Sequence, residues 1–207
     1  PHTNAVQHSC RYLCATCDKG LILKPDPDKK FEVFADASLG GAWDSQFAED
    51  DPDTARSRMG YIIKYAGCPI FWTSRLIPEI CLSTTEAEYC ALSEAMRQVI
   101  PMLDIQRECV ERGLLQATST PQVFCTAFED NSGALEMARV PKMRPRTKHI
   151  NLKYHFFRSR VVQDGDHDVA GKVHIRPIDT TAQEADIFTK SVSQDLFLKF
   201  RKAILGW

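Results

Sequence analysis

The chain of 207 residues has no apolar run near the roughly 20 residues that a membrane-spanning helix requires, so no membrane association is expected. It also lacks a charge imbalance. Its 26 Lys and Arg against 27 Asp and Glu leave a formal net charge of -1, and the total points to no partner of either sign. No second pair of ligands accompanies His8, Cys10, Cys14 and Cys17, so the zinc that this cluster suggests lacks the two-pair spacing of a structural site. These three cysteines are expected to pack a helix instead. The 8 cysteines as a whole are unevenly spaced, unlike the framework of a small secreted disulfide scaffold, and read as reduced thiols of an intracellular protein. There is no internal repeat. Position 1 is Pro rather than Met, from which a fragment of a longer polypeptide is expected.

What the chain does have is segregated charge. Arg139 to Arg160 is dense in Lys and Arg and contains no Asp or Glu, whereas "DSQFAEDDPD" (Asp44 to Asp53) and "DGDHD" (Asp164 to Asp168) are acidic. A segregated basic stretch is the electrostatic footprint of a polyanion partner, or, in the plainer reading, a solvated basic face.

Pattern along the chain predicts a helix over His2 to Thr16, with Ala5, Val6, Tyr12 and Leu13 available for one face, then a polar linker "KPDPDKK". A domain boundary is placed there, dividing residues 1–30 from residues 31–207. Strands are predicted at "FEVFADA", "GYIIKYAG", "CPIFWTS", "QVFCTAF" and "KVHIRPI". Helices are predicted from Thr84 to Ile100, from Pro101 to Arg112, from Asn131 to Ala138, and over "NLKYHFFRSRVV", "TAQEADIFTK" and "QDLFLKFRKAIL". This order gives an α/β layer fold with a five-stranded mixed sheet, three antiparallel strands then two parallel, flanked by helices.

Within "STTEAEYCAL" two glutamates compete for a role. Ser83 and Glu86 have capping-box spacing, which gives Glu86 a structural duty. Glu88 heads a stripe continued by Leu92, Ala95 and Val99 at helical spacing, so its carboxylate points to the core side, where an unpaired charge is costly. It is therefore a functional acid or an accidental edge position. Asp36 lies near the end of the first strand and Asp130 directly after the fourth, where strand ends converge on a ligand crevice. Asp130 reads equally as the N-cap of the following helix. Thr181 and Glu184 repeat the capping-box spacing, which leaves Asp186 as the unassigned acid of that element. Glu129 is expected to be a solvent-facing strand end. Four acids from separate elements suit a hard, oxygen-liking cation such as Mg²⁺, and a pair of such ions is an arrangement that serves phosphodiester cleavage.

The motifs "FADAS", "STTEAEY", "EDNSGA", "RTKHINLKYHFFR" and "EADIFTK", in this order and spacing, resemble the ribonuclease H domain of copia-type LTR retrotransposon polyproteins (Pseudoviridae). The resemblance covers Phe31 to Trp207. The segment "AVQHSCRYLCATCDKGL" resembles the connection from the reverse transcriptase domain. The resemblance implies a ribonuclease H-like fold and endonucleolytic hydrolysis of the RNA strand of an RNA/DNA hybrid. Asp36, Glu88, Asp130 and Asp186 would be the catalytic and metal-binding acids, with two Mg²⁺ ions that Mn²⁺ can replace. Thr84, Thr85 and Asn131 adjoin these acids as candidate substrate contacts. Arg144, Arg146, Lys148, Lys153, Arg158 and Arg160 are candidate phosphate contacts, of the kind that gives sequence-independent binding. Implied partners are the hybrid and the reverse transcriptase domain of the same polyprotein, in a cytoplasmic virus-like particle or the nucleus. His149 and His155 are read as polar or packing residues. Cellular ribonucleases H place a histidine in the loop before the last catalytic acid; Ile178 to Ala185 contains none, which implies slow turnover. Two other readings compete. One is a catalytically weak or inactive module of the same fold that binds hybrid and supports the polymerase domain. The other is a transposase-like core, against which the acid order argues, because the glutamate here is not last.

Overall fold

The structure is a computed structural model that describes residues 2–41, 43, 52–115, 124–140, 150, 152–163, 166 and 171–207. The predicted Arg144, Arg146, Lys148 and His149 lie outside the described residues. The elements are α1 (His2–Ala15), β1 (Phe31–Ser38), β2 (Arg58–Tyr65), β3 (Cys68–Leu76), α2 (Thr84–Glu111), β4 (Phe124–Glu129), α3 (Ser132–Arg139), β5 (Lys172–Pro177) and α4 (Gln194–Leu205). Short 3₁₀ turns cover Leu152–Arg160, Thr180–Ala182 and Glu184–Phe188. The five strands form one mixed sheet in the order β3-β2-β1-β4-β5. β1, β2 and β3 pair antiparallel and β4 and β5 pair parallel, as the sequence predicts, and β4 also pairs parallel with β1.

Side-chain alternation on β1 and β2 assigns the two faces. Phe31, Val33, Ala35 and Ala37 of β1, with Met59, Tyr61 and Ile63 of β2, pack under α2 and α3. Phe34 and Ile62 point the other way, against Ala185 and against Phe200 and Ile204 of α4. Strands covered on both faces bury nearly every residue, which is why "FEVFADA" and "YIIKY" read as almost continuous apolar runs. The tight turn between β2 and β3 places Ala66 and Gly67 both at positive φ, the geometry that a two-residue hairpin of right-handed twist requires.

Some local expectations change. α2 is one helix of 28 residues with Pro101 inside it, not two helices. The apolar stripe runs past the proline to the buried Leu103, four residues beyond Val99, and this packing outweighs the one backbone bond that proline cannot make. The segments predicted as helices around Leu152–Arg160 and Thr180–Phe188 are 3₁₀ turns. Thr181 and Glu184 form no capping box. Asp179 caps the first turn by accepting from Thr181 N, Gln183 caps the second by accepting from Ala185 N, and Glu184 pairs with Lys64 at 2.5 Å. On α1 the cysteines are exposed rather than packed, as are Val6 and Leu13; Tyr12 meets Phe197 edge-on. The segment after α1 is strapped to the end of α4, where Ile22 N donates to the Leu205 carbonyl and Trp207 Nε1 to the Gly20 carbonyl. Among the described residues no helix is long and apolar enough to cross a membrane.

Candidate active site

The acids meet at the C-terminal edge of β1 and β4, where the two layers converge. Glu88 arrives from the α2 side. Ser83 caps α2 by accepting from Glu86 N at 3.1 Å, and the Glu86 carboxylate accepts from Leu82 N at 2.8 Å, so Glu86 is indeed spent on the helix start. Glu88, half a turn on, is buried and accepts from Ala37 N at 2.8 Å through Oε2. Asp36 comes from β1 itself, on the opposite face. Asp130 follows β4. The helix cap after β4 is Asn131, whose Oδ1 accepts from Gly133 N and Ala134 N, so Asp130 is released from that duty. One carboxylate oxygen from each of Asp36, Glu88 and Asp130 falls within 4.8 Å of the others.

Asp186 enters from the α4 side, on the turn Glu184–Phe188. It is buried, and its Oδ1 lies 2.9 Å from the Lys190 ammonium, which is also 3.6 Å from Asp36 Oδ1. The same short segment supplies Thr189, whose hydroxyl donates to Asp36 Oδ2. This close approach depends on Gly60, the β2 partner of Asp36: a Cβ there would lie 2.4 Å from Phe188 Cβ and 3.0 Å from Thr189 Cγ2. Gln183, fully buried, ties the turn to the sheet by donating to the Ala35 carbonyl at 2.9 Å. Thr180 donates to Asp130 Oδ2 at 2.9 Å.

Glu129 is a fifth acid of this cluster. Its place at a strand end predicts a solvent-facing side chain, yet it is only 1% exposed. Strand alternation places it with the buried Cys125 and Ala127, a signal that period-2 reading carries. One oxygen accepts from Asn131 N at 3.0 Å, and the other is buried without a hydrogen-bond partner among the described residues.

Electrostatics follow from this crowding. Burial, followed by the carboxylates of Asp36, Glu129 and Asp130, pushes Glu88 up to about 11. Burial likewise pushes Glu129 up to about 8. Asp186 rises to about 6, chiefly by burial, with Lys190 pulling against it and Asp36 adding to the rise. Like charges this close raise one another's pKa unless a cation neutralises them. Asp36 Oδ1 and Asp130 Oδ1 are buried oxygens without hydrogen bonds among the described residues. An all-oxygen set of carboxylates suits a hard divalent ion.

The candidate substrate contacts are placed unevenly. Thr84 is exposed at the start of α2, and Thr85 donates to Asn131 Oδ1 at 3.3 Å. Of the predicted phosphate contacts, Lys153 pairs with Glu79 at 2.6 Å and Arg160 with Asp104 at 2.9 Å, both at the surface. Arg158 donates to the carbonyls of Met137 and Val140, the orphan acceptors at the end of α3, so it is a helix-end residue rather than a free phosphate contact. His155 has the packing role expected of it: it hydrogen-bonds Tyr89 Oη at 2.8 Å and its ring lies against that of Tyr89. Thr189 and Lys190 of "EADIFTK" join the site in addition to the predicted residues, and Lys190 stands at the i+4 spacing at which a lysine meets an acid on a helical turn.

No protein-family model matches the chain. It is 30% identical over 203 residues to the retrovirus-related Pol polyprotein from transposon RE2 of Arabidopsis thaliana, and 30% identical over 196 residues to that from transposon TNT 1-94 of Nicotiana tabacum. These alignments cover 98% and 95% of this chain but 12% and 13% of the two relatives, so the chain spans a small part of their length. A solved structure, the N-terminal RNase H domain of rv2228c from Mycobacterium tuberculosis fused to maltose-binding protein, superposes with a TM-score of 0.45 at 14% identity. That superposition covers 85% of this chain and 99% of the other.

Proposed function

We propose that this chain, which belongs with the retrovirus-related Pol polyproteins of copia-type transposons, is a ribonuclease H that hydrolyses the RNA strand of RNA/DNA hybrids. The observation that carries the reading is the convergence of Asp36, Glu88 and Asp130, with ligand oxygens within 4.8 Å, at one edge of the sheet. Each of the three comes from one of the motifs on which the family resemblance rests.

In this reading Asp36, Glu88 and Asp130 would hold one divalent ion, and Asp36 and Asp186 a second; Mg²⁺ would suit the donors and Mn²⁺ could replace it. When bound, such ions supply an activated water and neutralise charge on the phosphate. The protein's own groups keep the acids aimed. The Ala37 N–H fixes Glu88, the Thr189 hydroxyl fixes Asp36 and the Thr180 hydroxyl fixes Asp130. Partners of this kind orient ligands and are usually worth tenfold to a hundredfold in affinity or activity. Overall, water oxygen bonds to phosphorus, the bond to the ribose O3′ breaks, and a proton passes to that oxygen, leaving a 5′-phosphate and a 3′-hydroxyl. A contact to a ribose 2′-OH is what would separate RNA from DNA at this site.

Residues 1–30 are read as the tail of the connection to a reverse transcriptase domain and 31–207 as the ribonuclease H domain, acting in a cytoplasmic virus-like particle or the nucleus. The test offers labelled RNA annealed to DNA beside duplex DNA and duplex RNA, with and without Mg²⁺, and repeats it in Mn²⁺ at low salt. Cation-dependent cleavage of the hybrid's RNA strand alone is expected. No cleavage in either ion, or equal cleavage of all three duplexes, contradicts the reading.

A further inference from the structure

We infer that Lys190 is a tethered cation that occupies the Asp36–Asp186 side of the cluster and must swing out before a second divalent ion can bind there. The inference rests on the cluster being a divalent-cation site.

The five acids do not form one uniform set. Asp36, Glu88 and Asp130 share a space across which an ion can bridge. Asp186 is joined to Asp36 through the Lys190 ammonium, 2.9 Å from one and 3.6 Å from the other. Asp36 belongs to both halves. Its Oδ2 takes the Thr189 hydroxyl, and its Oδ1, which has no hydrogen bond among the described residues, lies 3.6 Å from the ammonium. The backbone sets this placement, because Thr189 N and Lys190 N both donate to the Asp186 carbonyl at 3.1 Å.

Two positive centres cannot share Asp36 and Asp186 at such separations without strong repulsion. The tether is nevertheless free to leave. The Lys190 side chain is 41% exposed, against 3% for Asp186, so the ammonium has a route to solvent that disturbs no buried packing. A flexible four-carbon stem with a compact charge suits such a movement. Lys190 therefore keeps Asp36 and Asp186 together at low ion concentration and makes the second ion's binding weaker than the first. It is a positioning residue.

Binding of Mn²⁺ to the full chain, followed by the electron paramagnetic resonance signal of the free ion, tests this directly. Wild type is compared with Lys190→Met, which keeps the stem without the charge, and Lys190→Arg, which keeps the charge. The second ion is expected to bind about tenfold or more tightly to Lys190→Met than to wild type, within the usual range of coupling between two ligands, with the first affected little. Lys190→Arg is expected to resemble wild type. A second measurement needs no variant: acetic anhydride should acylate Lys190 slowly without Mn²⁺ and faster once the second ion is bound, as read by mass spectrometry. Two ions bound with affinities indifferent to residue 190, or Lys190 reactivity unchanged by Mn²⁺, overturns the inference and leaves the ribonuclease reading standing. Failure of wild type to take up any Mn²⁺ overturns both.

Discussion

Two lysines meet the same short segment, residues 184–190, on different terms. Lys64, on β2, reaches Glu184 at 2.5 Å and the Ala203 carbonyl at 3.0 Å, with the two side chains only 6% and 13% exposed. Lys190 reaches Asp186 and Asp36 from a side chain that is 41% exposed. In the first cluster one cation meets one carboxylate and a carbonyl, with the Phe34 ring 5.5 Å from the ammonium, and charge is balanced. In the second, one cation faces Asp36 and Asp186, with Glu88, Glu129 and Asp130 behind them. That cluster holds excess negative charge. A balanced buried pair fixes the α4 layer on the sheet, whereas an unbalanced, half-open one invites an external cation.

The largest effect should come from breaking the balanced pair. Lys64→Met leaves Glu184 buried without its partner, and losses of about 3–5 kcal/mol accompany such changes. Urea unfolding should show this, and the Lys64→Met, Glu184→Leu double variant should recover much of it. A double variant as unstable as the single one would mean that Lys64 acts through more than this pair.

The unbalanced cluster should announce itself in the pH dependence of stability. Burial pushes Glu129 from the ordinary 4.5 up to about 8 in the folded chain. Between those values the folded protein retains a proton that the unfolded chain has released, so stability falls as pH rises through this window. In EDTA, urea midpoints should drop from pH 5 to pH 8, and Glu129→Gln should shallow that slope. A slope unchanged by the substitution would remove Glu129 from the cluster's account.

Gly60→Ala tests how the turn is seated. The added methyl meets the Cβ of Phe188, and overpacking of this kind costs about 1–3 kcal/mol. It should also slow hybrid cleavage by shifting Thr189 and Lys190 from Asp36. Full activity in a destabilised variant would show that their contacts are dispensable.

The smallest expected effect separates neighbours. Asn131→Ala should lose about 1 kcal/mol with the helix cap, whereas Asp130→Asn should lose activity and little stability. Thermal melts of both decide between the assignments.

What could be read ahead of the structure was whatever rests on local pattern. Strand number and direction follow from apolar runs and the succession of strands and helices, and Glu86 is separated from Glu88 by capping distance and an apolar stripe. Readings failed where a distant partner outbids a local signal. Glu184 has perfect capping-box spacing, yet Lys64, on another strand, takes it, and Asp179 and Gln183 do the capping. Pro101 looks like a helix start, but the buried stripe through Leu103 carries the helix across it. Arg158 sits in a basic run, yet the carbonyls at the end of α3 claim it. Glu129 was legible by strand alternation with Cys125 and Ala127, and Lys190 by its spacing from Asp186. The meeting of Lys190 with Asp36 was not, because it depends on Gly60 leaving room across the sheet.

The two glutamates of "STTEAEY" give the most direct test, since they lie two residues apart on one helix with different duties. Hybrid cleavage in Mg²⁺ should be measured for Glu86→Gln and Glu88→Gln beside wild type. Glu88→Gln should lose about hundredfold or more in rate with its melting temperature held or raised, as expected for a group that acts electrostatically at the reacting centre. Glu86→Gln should lower the melting temperature and leave the rate per folded molecule intact. Cleavage undiminished in Glu88→Gln would contradict the acidic cluster as the active centre.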